Sequence, residues 1–475
     1  MRMVYDEKLA QAAYVIGCQR SGEAIVIDPQ RDVDRYIDLA AEHGLRLVAA
    51  AETHIHADFV SGTRELAERI GARVYLSDEG DADWKYQWLE KKLGGGSYDH
   101  VLLHHGDTFS IGNIEFRALH TPGHTPEHIV FLVTDRGAGA TEPIGLATGD
   151  FVFVGDLGRP DLLETAAGEV GAMEPAARRL HTTVRALGDI PDFVQVWPGH
   201  GAGSACGKAL GAIPTSTIGY ERRFNPAIQA AASEQAFVDF ILSGQPEPPL
   251  YFAAMKRDNK LGPHVLGALP TPPEIDATDL LALDATSVAI VDTRPWDAFR
   301  QGHVPGALSL PLIKSFCTDA GSLLKDTDDI YLIVQTERLE EVVRDLVRIG
   351  LDRLRGWIDV SAIDALAAAG QPLSTITDLT VDDAQGLIDR GEVHVLDVRR
   401  ATEFEAGHIP GATNVAHTRL ASRLDEVPRQ RLLVNCRSGV RSGRATSQLQ
   451  RLGYDVINLR GGFIAWEEAA EPVER

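Results

Sequence analysis

Six metal-capable side chains occur as an ordered series in the first half of the chain. His54, His56 and Asp58 form H-x-H-x-D, His124 lies in HTPGHT, Asp150 closes GLATGD, and His200 closes VWPGH. Imidazole and carboxylate groups can hold a divalent ion when rigid elements aim them at one point. Different chemistry stands near the other end. Cys436 opens CRSGVRS, between a strand-like RLLVN and a helix-like GRATSQLQRLG. Backbone amides of residues 437–441 can curl around its sulfur, and the helix N-terminus adds positive potential. Arg437 and Arg441 add formal charge. All three favour the thiolate, which can accept sulfane sulfur, hold it as a persulfide and pass it to a nucleophile. Lone histidines elsewhere, such as His128, read as structural or solvated.

The elements needed to aim these groups are legible. AYVIG and EAIVID read as a hairpin, 32–43 as a helix, and RLVAAAE as a buried strand that delivers the chain into H-x-H-x-D. TRELAERI reads as a helix stopped by Gly71. IEFRALH, HIVFLV and DFVQVWP read as strands, and ERRFNPAIQAAASEQAFVDFILSG as one closing helix. Proline-rich breaks at 243–252 and 268–279 separate this block from the rest of the chain. The remainder repeats itself. DTRPWDAFRQGHVPGA at 292–307 recurs as DVRRATEFEAGHIPGA at 397–412, so Asp292, Arg294, His303 and Gly306 return as Asp397, Arg399, His408 and Gly411. Each copy alternates apolar strands with helices, which predicts a parallel α/β sheet used twice. The division expected is 1–245, a linker over 246–275, then 276–370 and 374–475.

A formal net charge of −22 argues against a nucleic-acid or anionic-membrane partner, either of which would want a basic face. The four cysteines, Cys18, Cys206, Cys317 and Cys436, form no C-x-x-C pair. A reducing, cytoplasmic setting is expected, with no signal peptide and no transmembrane run.

The series H-x-H-x-D, PGHT, TGD and a late GH, over roughly residues 10–245, resembles the metallo-β-lactamase superfamily. That resemblance implies an αββα sandwich. Where the superfamily pattern normally reads H-x-H-x-D-H, with the last histidine helping to hold a second metal, this chain has Phe59. A phenyl ring cannot ligate, which favours one metal over two. GDLGRPDLL at 155–163 is similar to the segment that follows the aspartate in persulfide dioxygenases. This likeness implies one Fe(II) per chain held by His54, His124 and Asp150. It leaves His56, Asp58 and His200 to orient those ligands or to stand as vestiges of a second site. It also implies that Arg159 attracts a persulfide anion or a thiol carboxylate. The chain departs from the stand-alone enzymes at Asp156, where they are expected to carry cysteine. Cys206, six residues after His200, could accept persulfide at the pocket rim or be a small residue in a tight glycine-rich turn. Cys18 is expected to be inert.

Residues 376–470 resemble the rhodanese family. The likeness rests on the Asp397–Arg399 strand end, the Gly407–Ala412 turn, the loop 436–441 and Gly461-Gly462 with Trp466. The middle copy keeps the scaffold but reads YLIVQTERLEEVV where the loop should be, so it is expected to be inactive, with Cys317 outside any cradle. The full order resembles bacterial persulfide dioxygenase–sulfurtransferase fusions. That implies an oxygen-dependent conversion of a low-molecular-weight thiol persulfide to sulfite and thiol, and sulfur exchange with sulfite and thiosulfate on Cys436. A homo-oligomer is also expected. Two other readings stand beside it: a dinuclear zinc thioester hydrolase of the glyoxalase II type, and a non-catalytic sulfur carrier or scaffold.

Overall fold

A computed structural model describes residues 1–166 and 168–475. The chain divides into two compact units, Met1–Leu269 with Val347–Gly350, and Pro270–Leu346 with Leu351–Arg475.

The first unit is built on two mixed sheets. One has the order β1-β2-β3-β4-β5-β6: Arg2–Asp6, Gln11–Cys18, Glu23–Ile27, Arg46–Ala51, Arg73–Ser77 and His100–Leu103. The other has the order β12-β11-β10-β9-β8-β7, with β7 Thr108–Ile111, β8 Ile114–His120, β9 Ile129–Asp135, β10 Gly145–Gly149, β11 Gln195–Pro198 and β12 Ser216–Thr217. Alternation decides which side of each strand is buried between the sheets. Tyr14, Ile16, Ile25 and Ile27 of one sheet meet Phe116, Phe131 and Trp197 of the other in a shared core. Val15, Val26 and Ala50 point the opposite way, onto Tyr36 and Leu66 of the helices Asp34–Glu42 and Thr63–Ile70. Val130, Leu146 and Val196 cover the helix Met173–Ala186 and its neighbours on the outer face of the second sheet. Helices thus flank the paired sheets on both sides, giving the expected αββα order.

The expected closing helix over 221–244 is three helices instead, Ile218–Phe224, Pro226–Ala230 and Glu234–Leu242. Pro226 cannot continue a helix, and Asn225 caps the next one by accepting the N–H of Ala227 at 3.0 Å. Residues 252–261, inside the expected linker, form a helix that belongs to the first unit.

The second unit holds two parallel sheets. One is β14-β13-β15-β16 (β13 Ala289–Asp292, β14 Leu308–Ser309, β15 Ile330–Val334, β16 Leu354–Asp359). The other is β17-β21-β20-β18-β19 (β17 Thr377–Leu379, β18 His394–Asp397, β19 Thr413–Asn414, β20 Leu432–Asn435, β21 Val456–Leu459). The copies share a device at β13 and β18. Arg294 and Arg399 each fold back on the aspartate two residues earlier and donate to the carbonyl of Gly302 or Gly407. His303 and His408 stack on Phe299 and Phe404 and donate to their carbonyls, holding the repeated turns.

Candidate metal centre and sulfur-transfer loop

The six series residues gather at one end of the first unit's sandwich, and all are buried. β4 runs into the loop bearing His54, His56 and Asp58. His124 lies between β8 and β9, and Asp150 and His200 follow β10 and β11. His54, His124 and Asp150 bring their donor atoms within 4.8 Å of one another. His124 Nε2 stands 3.5 Å from Asp150 Oδ2.

Hydrogen bonds fix which ring nitrogen faces the centre. His124 Nδ1 lies 3.0 Å from the Arg159 carbonyl, which can only accept, so Nε2 is the free donor. The Thr53 hydroxyl donates to Asp28 Oδ2 at 2.9 Å and therefore accepts from His54 Nδ1, also at 2.9 Å. Asp28 Oδ1 accepts the Thr53 amide and holds His56 Nε2 at 3.1 Å. Asp28 thus orients two imidazoles at once, from a backbone with φ of 53° that few non-glycine residues adopt. The sequence reading missed it, although its place at the end of EAIVID was a usable signal. His128 accepts the Asp150 amide at 3.1 Å on Nε2 and pairs with Thr121 Oγ1 through Nδ1, a supporting role at the site itself. Gly158 is required by close approach, since a Cβ there would sit 1.7 Å from the Asp150 carbonyl.

Burial lowers His54 and His128 well below the usual imidazole range and His124 to about 4. These rings are therefore neutral, the form that ligates. Burial opposes protonation of His56 too, but Asp28 outweighs it and raises the ring to about 9. Burial pushes the Asp58 and Asp150 carboxyls up. Both Asp150 oxygens are buried and accept no hydrogen bond. A buried carboxylate without partners is costly, and a cation between Asp150 and the aimed imidazoles removes that cost. These residues fit a metal ion.

Asp58, His200 and Cys206 form a second close group. Burial and the Asp58 charge hold the Cys206 thiol well above its ordinary value. Arg159, expected to meet a substrate anion, is buried and bidentate to Asp161 at 2.9 and 2.6 Å, and its third arm donates to the Ala205 carbonyl. Asp156 ties down the same loop by accepting the amides of Lys208 and Ala209, each at 3.0 Å. Asn259, from the helix Phe252–Leu261, is a second missed residue. Its amide spans the carbonyls of His56 and Phe59. A narrow apolar pocket of about 20 Å³, room for a single water molecule, opens beside His124, lined by Ile55, Trp84, Leu162, Leu163 and Lys256. Cys18, expected to be inert, accepts the Asn113 amide, which with Ser21 brings its thiol down to about 7.

In the second unit Cys436 directly follows β20 and is fully buried. Of the amides expected to turn toward its sulfur, that of Gly439 does so, at 3.2 Å, from a φ of 90° that favours glycine. The helix Val440–Arg451 follows directly. Arg441 is held by Glu403 through two bonds of 2.6 and 2.8 Å, while Arg437 is exposed and lines a pocket with Arg399, Glu403 and Phe463. Phe463 donates its amide to the Cys436 carbonyl. Cys317 is buried in the helix Phe316–Leu323, within reach of the Asp345 carbonyl.

The metallo-β-lactamase superfamily model matches residues 7–200. A crystal structure of a metallo-β-lactamase from Staphylococcus aureus is 40% identical, covers 75% of this chain and 98% of its own, and superposes with a TM-score of 0.67. The chain belongs to the metallo-β-lactamase superfamily. Behind its metallo-β-lactamase domain, the rhodanese-like domain model matches twice, at 276–341 and 380–469. This metallo-β-lactamase domain is 25% identical to the mitochondrial persulfide dioxygenase of Mus musculus over 236 residues, 49% of this chain and 78% of that one. It is also 28% identical over 258 residues to a β-lactamase hydrolase-like protein of Agrobacterium fabrum, covering 50% of this chain and about half, 54%, of that protein. Among the described residues no helix is long and apolar enough to cross a membrane.

Proposed function

We propose that the metallo-β-lactamase domain oxidises a thiol persulfide with dioxygen, and that the final rhodanese domain moves sulfane sulfur on Cys436. The observation that carries the reading is Asp150, buried and unpartnered beside the aimed nitrogens of His54 and His124, in a chain related to persulfide dioxygenases. Two imidazoles and one carboxylate are the donor set of non-haem ferrous sites with open positions. When bound there, iron supplies dioxygen activation and a place for the substrate sulfur.

The chain's own residues do the rest. Asp28 and the Arg159 carbonyl hold the imidazoles in the ligating tautomer. The apolar side chains of Ile55, Trp84 and Leu163 beside His124 limit the water that reaches the reacting end. The net conversion is R–S–SH, dioxygen and water to R–SH and sulfite, with release of two protons. The Cys436 thiolate takes the outer sulfur of a second R–S–SH, releasing R–SH, and sulfite is in turn a nucleophile for the cysteine persulfide so formed. It attacks the outer sulfur of Cys436–S–S⁻, the S–S bond breaks, and thiosulfate leaves with the Cys436 thiolate restored. The Gly439 amide is placed to stabilise that thiolate.

The coupled scheme is tested by product analysis. Wild-type protein given persulfide and dioxygen should yield thiosulfate, whereas Cys436→Ser should accumulate sulfite. Unchanged thiosulfate in Cys436→Ser would refute the coupling.

A further inference from the structure

The outer face of the second sheet carries a cavity that the metal centre does not use. Leu119 of β8 lies opposite Val130 of β9, and Arg117 lies opposite Leu132, which also pairs with Leu146 of β10. Alternation puts these side chains on one face of the sheet. The helix Met173–Ala186 covers that face over Val130 and Leu146. Where the helix ends, Leu187 and Ile190 close over Leu119, Leu132, Leu146 and Phe151, leaving a cavity of about 270 Å³. One water needs only roughly 10–15 Å³, and a packed interior rarely leaves so large a void. Leu119, Leu132 and Ile190 are only partly buried, so apolar surface meets water there, and covering it is favourable. Among the described residues, none of the metal-capable series lines this cavity.

Polar side chains complete the lining. Arg117 is exposed, and its guanidinium has no hydrogen bond or ion pair among the described residues. His105 Nδ1 accepts the His120 amide at 3.2 Å, so the proton of the neutral ring sits on Nε2, a second donor. His120 Nε2 is already taken by the Pro126 carbonyl at 2.8 Å, and Thr183 by the Pro122 carbonyl at 2.8 Å. Asp189, also exposed, is the acid of the lining. An uncommitted guanidinium beside an apolar chamber suits a molecule with one carboxylate head and an apolar tail. Asp189 works against a second negative charge on that molecule.

We propose that this cavity binds an amphipathic monocarboxylate of the medium-chain fatty acid class. Its carboxylate meets Arg117 and the His105 Nε2–H, and its chain lies against Leu132, Phe151 and Ile190. The site goes beyond the persulfide reading and does not depend on it.

The test is isothermal titration of octanoate into the full-length protein, which needs no turnover. Saturable binding is expected, weakened by about tenfold or more in Arg117→Gln, where a charge-assisted contact is lost. Leu132→Trp, which fills the chamber, should abolish binding. Arg117→Gln changes an exposed side chain and keeps the test valid if Leu132→Trp fails to fold. Octanol, without the head charge, should bind more weakly than octanoate. No saturable binding, or binding that Arg117→Gln leaves unchanged, overturns the proposal. So does tighter binding of octylammonium than of octanoate, the outcome in which Asp189 holds the head.

Discussion

Asn259 donates to the carbonyl of Phe59 at 2.8 Å. It reaches the His56 carbonyl at the same distance and accepts the Ser61 amide at 2.9 Å, all of them buried. One side chain thus staples the loop that carries three of the six metal-capable residues. Asn259→Ala strands these buried groups, which should lower stability by about 2–3 kcal/mol. It should also weaken metal binding by roughly tenfold or more, because the loop's aim is loosened. Denaturant midpoint and metal retention under chelator competition check both.

Asp28 makes a sharper case, because it acts through tautomer rather than packing. Asp28→Asn keeps the volume but replaces a four-site acceptor with a mixed donor and acceptor. The Thr53–His54 and His56 contacts cannot all survive. Metal affinity should fall by roughly 10–100-fold while the fold is retained. Isothermal titration of the metal-free protein reads it directly.

In the second unit, Asp319 of the middle copy pairs with Arg444 on the helix that follows the Cys436 loop, and both are buried. Arg444 also donates to the Val440 carbonyl in that helix's first turn. Asp319→Ala leaves a buried guanidinium without its counter-charge, at a cost of about 3–5 kcal/mol. Sulfur transfer between thiosulfate and a thiol should drop with it, and Arg444→Leu in the same chain should recover stability. The middle copy, without a cysteine loop of its own, thereby braces the helix that follows Cys436.

The metal series and the sulfur loop are legible in the sequence because both are local. Each metal-capable residue and Cys436 lies in a segment next to a strand and is marked by short-range pattern, and the internal repeat declares itself by identity at a fixed offset. What stays hidden is non-local. Asn259 and Asp28 act across many residues of sequence, and nothing in DNKLG distinguishes an asparagine that will bridge two carbonyls. Arg159 reads as a substrate contact because GDLGRPDLL is similar to a segment of persulfide dioxygenases, a likeness that says nothing of the partner it takes here. Asp161, two residues on, has the reach to take it, and does. Cys206 reads as well as a turn residue until the loop brings it against Asp58 and His200. The single helix over 221–244 fails on Pro226, whose effect on a helix interior is available in the sequence.

The buried imidazoles set a pH dependence for the metal-free protein. His54 packs against His124 and His128 at 5.0 and 4.9 Å between centroids, and burial lowers all three, His124 to about 4 from 6.5. Between those two values the unfolded chain binds more protons than the folded one, so stability rises with pH through that window and is lost on acidification. His56, raised to about 9, works oppositely. Its contribution is full below 6.5 and is lost as pH rises through about 9. Asp58 and Asp150, raised to about 6 by burial, act in the opposite sense over the acid window, so the imidazole share is read by difference. Relative to wild type, His128→Gln should raise the Tm of chelated protein at about pH 4–5 compared with its value at about pH 7, and an unchanged acid limb in His128→Gln would contradict neutral buried rings.

The most direct test is dioxygen consumption by anaerobically purified, iron-loaded protein on addition of glutathione persulfide. A persulfide dioxygenase should show rapid uptake, sulfite or thiosulfate as product, and loss of uptake in His124→Ala with iron release. No uptake, with thioester cleavage by the zinc-loaded protein instead, would contradict that activity and make the chain a hydrolase.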